Sequence, residues 1–164
     1  MTIIEEVYKE RLISVDPALS VSGVSVFDID GKLLAVSDII PKTTGENRYK
    51  EIAFRFKCIL EKTRPIYMAI ESQYISFRGN SALKISELKG IFEGVFYSIQ
   101  PFGNVITVSP AEAKKFVGVK GNLKRKLSKK LVLAEVNRRF PGIKNISEDM
   151  ADSVAIGLFG LSKL

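Results

Sequence analysis

Acidic residues occupy the positions in this chain where side-chain chemistry is easiest to build. Asp16 closes the apolar run Leu12-Ile-Ser-Val, and Glu71 closes Tyr67-Met-Ala-Ile. Asp149 and Asp152 lie three apart at the start of an apolar C-terminal stretch, so on a helix they share a face. Singly, each has an ordinary explanation. An acid after a strand often just begins a loop, and acids in a first helical turn stabilise the macrodipole. The combination says more, because ligand sites in α/β sheets gather at the carboxyl ends of strands. If the last helix starts beside those ends, four carboxylates converge. Such a cluster repels itself unless cations neutralise it. All-oxygen donors suit Mg2+ or Mn2+ rather than zinc. Two such ions ~3.5–4 Å apart can activate a water and stabilise the leaving oxygen of a phosphodiester.

The rest of the composition narrows the choice. The 164 residues contain no histidine and a single cysteine, Cys58. That excludes a Ser-His-Asp triad, a Cys-His pair, an internal disulfide and the usual zinc sites. The net charge is +7, which favours an acidic partner such as nucleic acid. The excess is local: residues 114–139 hold ten bases and one acid, Glu135, a charge of +9, so the remainder is slightly acidic. Such a segment is either a solvated helix face or a phosphate-binding surface whose affinity falls with salt. No apolar run is long enough to span a membrane. The acidic start Met1-Thr-Ile-Ile-Glu-Glu is unlike a secretory signal, and the lone cysteine fits a reducing cytoplasm.

The acids need a frame to hold them. Apolar runs predict strands over residues 12–16, 21–27 and 32–40, joined by an Asp30-Gly31 turn into an antiparallel meander. Residues 47–63 read as an amphipathic helix, with Ile52, Phe56, Ile59 and Leu60 at helical spacing, closed by Pro65. Residues 66–70 read as a parallel strand, 81–99 as a helix apolar on more than one face, and 104–108 as another strand. Helices follow over 110–115 and 123–140, and Ser147 caps a last one reaching about Leu161. Length and order describe one α/β domain with a mixed five-stranded sheet, three antiparallel strands plus parallel ones, flanked by helices.

With these segments in place, the chain resembles the RuvC family of Holliday-junction resolvases. The likeness runs through Ile13-Ser-Val-Asp16-Pro17 with Gly23, then Ala69-Ile-Glu71 with Asn80-Ser-Ala-Leu-Lys84 and Gly90, and finally Asp149-Met-Ala-Asp152-Ser-Val-Ala155. The resemblance implies a ribonuclease H-like fold over residues 1–164 as a single nuclease domain. It implies that Asp16, Glu71, Asp149 and Asp152 are catalytic acids holding Mg2+ (or Mn2+), two ions per active site. It further implies a homodimer whose two sites nick opposed strands of branched DNA, with the helix over 81–99 at the dimer contact. Tyr74 stands where the family carries a loop aromatic that acts at the junction crossover. It could equally be an ordinary loop tyrosine. Lys114 and Lys124 best match the family's DNA-contacting lysines, with Lys115 and Lys126 as alternatives.

The chain departs from the family pattern at Ala18 and Leu19, which replace a Gly and an Arg, and about ten residues precede the first strand. With the Lys- and Ile-rich composition, this suggests a phage-borne relative acting in the bacterial or infected-host cytoplasm. The expected activity is structure-specific cleavage of four-way junctions. Three alternatives stand beside it: a less selective branched-DNA or RNA–DNA nuclease of the same fold, a non-catalytic DNA-binding module, and an actin-like nucleotide-binding protein. The last is disfavoured by the short chain and the absence of glycine-rich phosphate loops. A branch-migration motor as a further partner is left open by the sequence.

Overall fold

A computed structural model describes residues 10–72, 80–120 and 123–164. Its strands are β1 (Arg11–Asp16), β2 (Ser22–Asp28), β3 (Leu33–Ile39), β4 (Tyr67–Glu71) and β5 (Asn104–Val108). They form one sheet in the order β3-β2-β1-β4-β5. β1 pairs antiparallel with β2, and β2 with β3, so the meander expected from the sequence is present. At the turn between β2 and β3 Gly31 adopts a φ of 89°, and the Asp28 carboxylate accepts the Lys32 N–H at 2.9 Å. β4 runs parallel to β1, and β5 parallel to β4. Strand ends differ from the sequence expectation by about a residue, the usual margin at such boundaries.

Between the strands lie α1 (Glu46–Thr63), α2 (Asn80–Ile99), α3 (Pro110–Phe116), α4 (Arg125–Arg139) and α5 (Glu148–Leu161). α1 stops because Arg64 turns left-handed at φ 46° and Pro65 cannot continue the helix. Ser109 and Ser147 cap α3 and α5, their hydroxyls accepting the N–H groups of Glu112 and Met150.

Alternation along the strands divides the core in two. Ile13, Val15, Val24 and Val26 point to one side, where Ile52, Phe56 and Leu60 of α1 meet Leu88, Phe92 and Phe96 of α2. Phe56 and Phe92 stack edge to face at 4.8 Å between centroids. Leu12, Phe27 and Ala69 point to the other side, against α3, α4 and above all α5. Seven consecutive residues of α5, Ala151 to Gly157, are buried. A helix can be buried all round only if its neighbours come close, and two glycines permit this. A Cβ on Gly157 would press into the Phe27 ring and Ser14, and one on Gly160 into Ala69. Ser14 bridges sheet and helix, donating to the Ser153 carbonyl at 2.8 Å. Among the described residues no helix is long and apolar enough to cross a membrane.

Candidate metal centre

Sheet register sets out the site. Asp16, the last residue of β1, faces Gly23 of β2, and Gly23 faces Asp38 of β3. On the other side of β1, the Val15–Ile70 pair is followed in each strand by an acid, Asp16 and Glu71. The first turn of α5 descends onto this row. Gly23 is what lets it land, since a Cβ there would strike the Asp149 carbonyl and the Met150 nitrogen. With that approach, Asp16, Asp149 and Asp152 each bring a carboxylate oxygen within 4.8 Å of one another. Glu71 lies outside this tight trio, yet the charges of Asp16 and Asp152 both act on it.

Electrostatics follow from the crowding. Burial, then the neighbouring Asp152, pushes the Asp16 carboxyl up to about 7. Burial and the charges of Asp16 and Asp152 push Glu71 up to about 8. Asp152 also rises, chiefly by burial, against the pull of Lys129 and Lys114. In all three, burial and mutual repulsion outweigh the pull of Lys114 and Lys129.

Among the described residues two cations reach into the site. Lys129 of α4 donates to Asp149 Oδ1 at 2.7 Å and lies 3.4 Å from Asp152 Oδ2. Burial pulls its ammonium down, but the hydrogen bond to Asp149 and the surrounding acids more than reverse this, so it stays charged. Lys114 of α3 is half-buried and lowers the carboxyls of Asp16, Glu71 and Asp152 through its charge.

The donors fit a hard divalent cation. Asp152 is only 8% exposed, and its buried Oδ1 has no hydrogen-bond partner among the described residues. A buried acceptor of that kind is rare unless something unseen satisfies it. The remaining donors are carboxylate oxygens, the set that Mg2+ and Mn2+ prefer.

The structure therefore brings together all four acids singled out in the sequence, three tightly and Glu71 more loosely, and adds Lys114. Lys115, Lys124 and Lys126 are exposed, with Lys124 at the N-cap of α4. Tyr74 lies outside the described residues. The basic segment is less uniform than its charge suggested. Arg138 and Arg139 pair with Glu135 at 2.8 and 2.7 Å, and Lys129 turns into the acidic centre.

Sequence reasoning missed two residues. Lys129 had a signal: it stands three and seven positions before Val132 and Val136, both buried, and so on the inward face of α4. Asp38 had a weaker one, its place at the end of β3. Its Oδ1 is buried and unpartnered, and burial raises its carboxyl while the Ser147 hydroxyl restrains it.

A mixed sheet carrying acids at adjacent strand ends, completed by acids from a helix laid across it, defines a ribonuclease H-like nuclease. Comparison with known proteins agrees. Residues 12–159 match the family model described as crossover junction endodeoxyribonuclease RuvC. A curated protein of that name from Gluconobacter oxydans (strain 621H) is 28% identical over 159 residues, covering 90% of this chain and 88% of its own. One from Chlamydia pneumoniae is 24% identical over 159 residues, covering 91% and 90%. Among solved structures, Thermus thermophilus RuvC in complex with a Holliday junction substrate superposes with a TM-score of 0.71 at 20% identity, covering 92% of this chain and 91% of its own. The fowlpox virus resolvase, bound to Holliday junction DNA, gives 0.66 at 18% identity, covering 93% and 97%. The chain belongs to the RuvC family of crossover junction endodeoxyribonucleases, hydrolases of phosphodiester bonds.

Proposed function

We propose that this protein is a divalent-metal-dependent endonuclease that resolves four-way DNA junctions by paired nicking. The observation that carries the reading is the carboxylate cluster at the strand ends, with a buried Asp152 oxygen that has no partner among the described residues. In this reading Asp16, Glu71, Asp149 and Asp152 hold two Mg2+ or Mn2+ ions. Bound there, such ions supply water activation and charge neutralisation at the scissile phosphate. The chain's own residues do the rest. Asp16 and Glu71, held toward their protonated forms by burial and by the neighbouring acids, would be ionised when holding the cations. Lys114, at the rim of the acids, takes a backbone phosphate, while Lys115, Lys124 and Lys126 extend the basic track on exposed ground. Tyr74 wedges at the crossover.

Paired nicking calls for two sites, and we assign the second to another copy meeting the first along α2. Support comes from Leu83 and Tyr97, large residues of α2 that are exposed, and from Gly90 and Gly94, where added Cβ atoms would meet nothing.

The test is a cleavage panel. A synthetic four-way junction, a three-way junction, linear duplex and an RNA–DNA hybrid are each incubated with and without Mg2+. Cleavage of the four-way junction alone, and only with metal, is the expected result. Equal rates on junction and duplex would remove the resolvase reading and leave a less selective nuclease of the same fold.

A further inference from the structure

Lys129 is a third kind of group in a site otherwise made of acids and approached by DNA-facing lysines. Its side chain is 18% exposed, and its Nζ touches Asp149 Oδ1 and Asp152 Oδ2 at 2.7 and 3.4 Å. The other oxygen of Asp152, Oδ1, is buried and has no partner among the described residues. The lysine thus satisfies one edge of the cluster and leaves the other unsatisfied. Mg2+ binds carboxylate oxygens at about 2.0–2.1 Å. A cation seated that close to Asp149 Oδ1 would share the oxygen with an ammonium already hydrogen-bonded to it. Two like charges in a half-buried pocket exclude one another. Lys129 is also free to leave, since its charge rides on a flexible four-carbon stem.

Resting on the metal-binding reading above, we infer that Lys129 is a tethered counter-ion that competes with a divalent cation for the Asp149–Asp152 edge. The first ion enters beside Asp16 and Glu71, at the edge the lysine leaves open. A second ion enters only as Lys129 withdraws. The lysine therefore holds the acids together in the metal-free protein and sets the metal concentration at which the site fills.

The test is titration of the full-length, metal-free protein with Mn2+, read by calorimetry and by the electron spin resonance of free Mn2+, without DNA. The wild type is expected to bind in two unequal steps. Lys129→Met should tighten the weaker step by about tenfold or more, equivalent to ~1.4 kcal/mol. Lys129→Arg, which keeps the charge, should leave that step weak. Lys130→Met removes a charge from an exposed neighbour on α4 and should change neither step. Melting gives a second readout: Lys129→Met should melt lower than wild type in chelator, and the gap should close in Mn2+. A weaker step unaffected by Lys129→Met overturns the competition, as does equal tightening by Lys130→Met. A melting gap that persists in Mn2+ also overturns it, because it marks a purely structural ion pair. Mn2+ uptake by neither wild type nor Lys129→Met overturns the metal reading itself. Uptake indifferent to residue 129 overturns the competition alone.

Discussion

α2 and α5 are both rich in apolar residues and both carry a pair of glycines, Gly90 and Gly94 in the first, Gly157 and Gly160 in the second. In α5 the glycines are pressed against Phe27, Ser14 and Ala69 of the sheet. In α2 nothing among the described residues lies within 4 Å of where their Cβ atoms would be. α5 is buried all round because it fills the space between the sheet and helices α3 and α4, and its first turn is thereby held over the strand ends. α2 buries only the stripe Leu88, Phe92 and Phe96 and shows its other side outward. The same signature, small residues in an apolar helix, thus marks a closed contact in one place and open ground in the other. Only the closed contact can position acids to a fraction of an ångström.

Disturbing the acids, or the α5 turn that carries two of them, should have the largest effects. Gly23→Ala sets a methyl against the backbone of Asp149 and Met150, which cannot rotate away. It should displace the first turn of α5 and lower junction cleavage by ~10²-fold, the loss expected from a misplacement of about 1 Å. Glu71→Gln should lower it further still, beyond the ~10–100-fold typical of losing a hydrogen-bond partner of a metal ligand, while junction binding in a gel-shift assay is retained. Unchanged nicking by Glu71→Gln would defeat the site assignment. Gly157→Ala leaves the acids in place but overpacks Phe27 and Ser14. It should cost ~1–3 kcal/mol in denaturant unfolding, and a neutral result would mean that α5 sits less tightly than its burial indicates.

A smaller, graded effect comes from pH. Asp16 and Glu71 carry folded-state pKa values raised to about 7 and 8. Between the ordinary carboxyl range and those values, the folded protein binds more protons than the unfolded chain. Stability of the metal-free protein should therefore fall as pH rises from roughly 5 toward 8, then level off. Each carboxyl contributes a slope of up to about 1.4 kcal/mol per pH unit. Thermal melts in chelator should show the decline, and saturating Mn2+ should flatten it. Metal-free Glu71→Gln should lose part of the slope. On the open side, Gly90→Ala or Gly94→Ala should stabilise each copy by up to ~1 kcal/mol through helix propensity. If a second copy docks on α2, the same changes weaken the dimer in analytical ultracentrifugation, which sharpens the contrast between the two helices.

Much of this frame could be read from the chain, because its elements carry clean periodicities. The alternating and fully apolar runs at Leu12, Val24 and Met68 became strands, and the spacing of Ile52, Phe56 and Leu60 became the inner face of α1. Asp16 and Glu71 were legible because they end buried runs, and Asp149 and Asp152 because they stand three apart where a helix begins. Lys129 was not, since it sits among ten bases that look alike until a helix turns one of them inward. Asp38 escaped notice because its neighbours in space, Ser147 and Asp149, are more than a hundred positions away. The looseness of Glu71 relative to the other acids depends on how β4 and α5 sit together, which no local pattern encodes.

The bridge from Ser14 to Ser153 spans 139 positions. β1 and α5 are the first and last elements described, and the acids come from both. During synthesis at ~5–20 residues per second, on the order of ten seconds separates the emergence of Asp16 from that of Asp152. Contacts this distant also form slowly once the chain is free, because loop closure must precede them. Under the proposed metal assignment, the nascent polypeptide carries only two of its four site acids until its last helix docks. On that assignment, a molecule in which only the first turn of α5 has lifted is disarmed before the rest of its fold is lost.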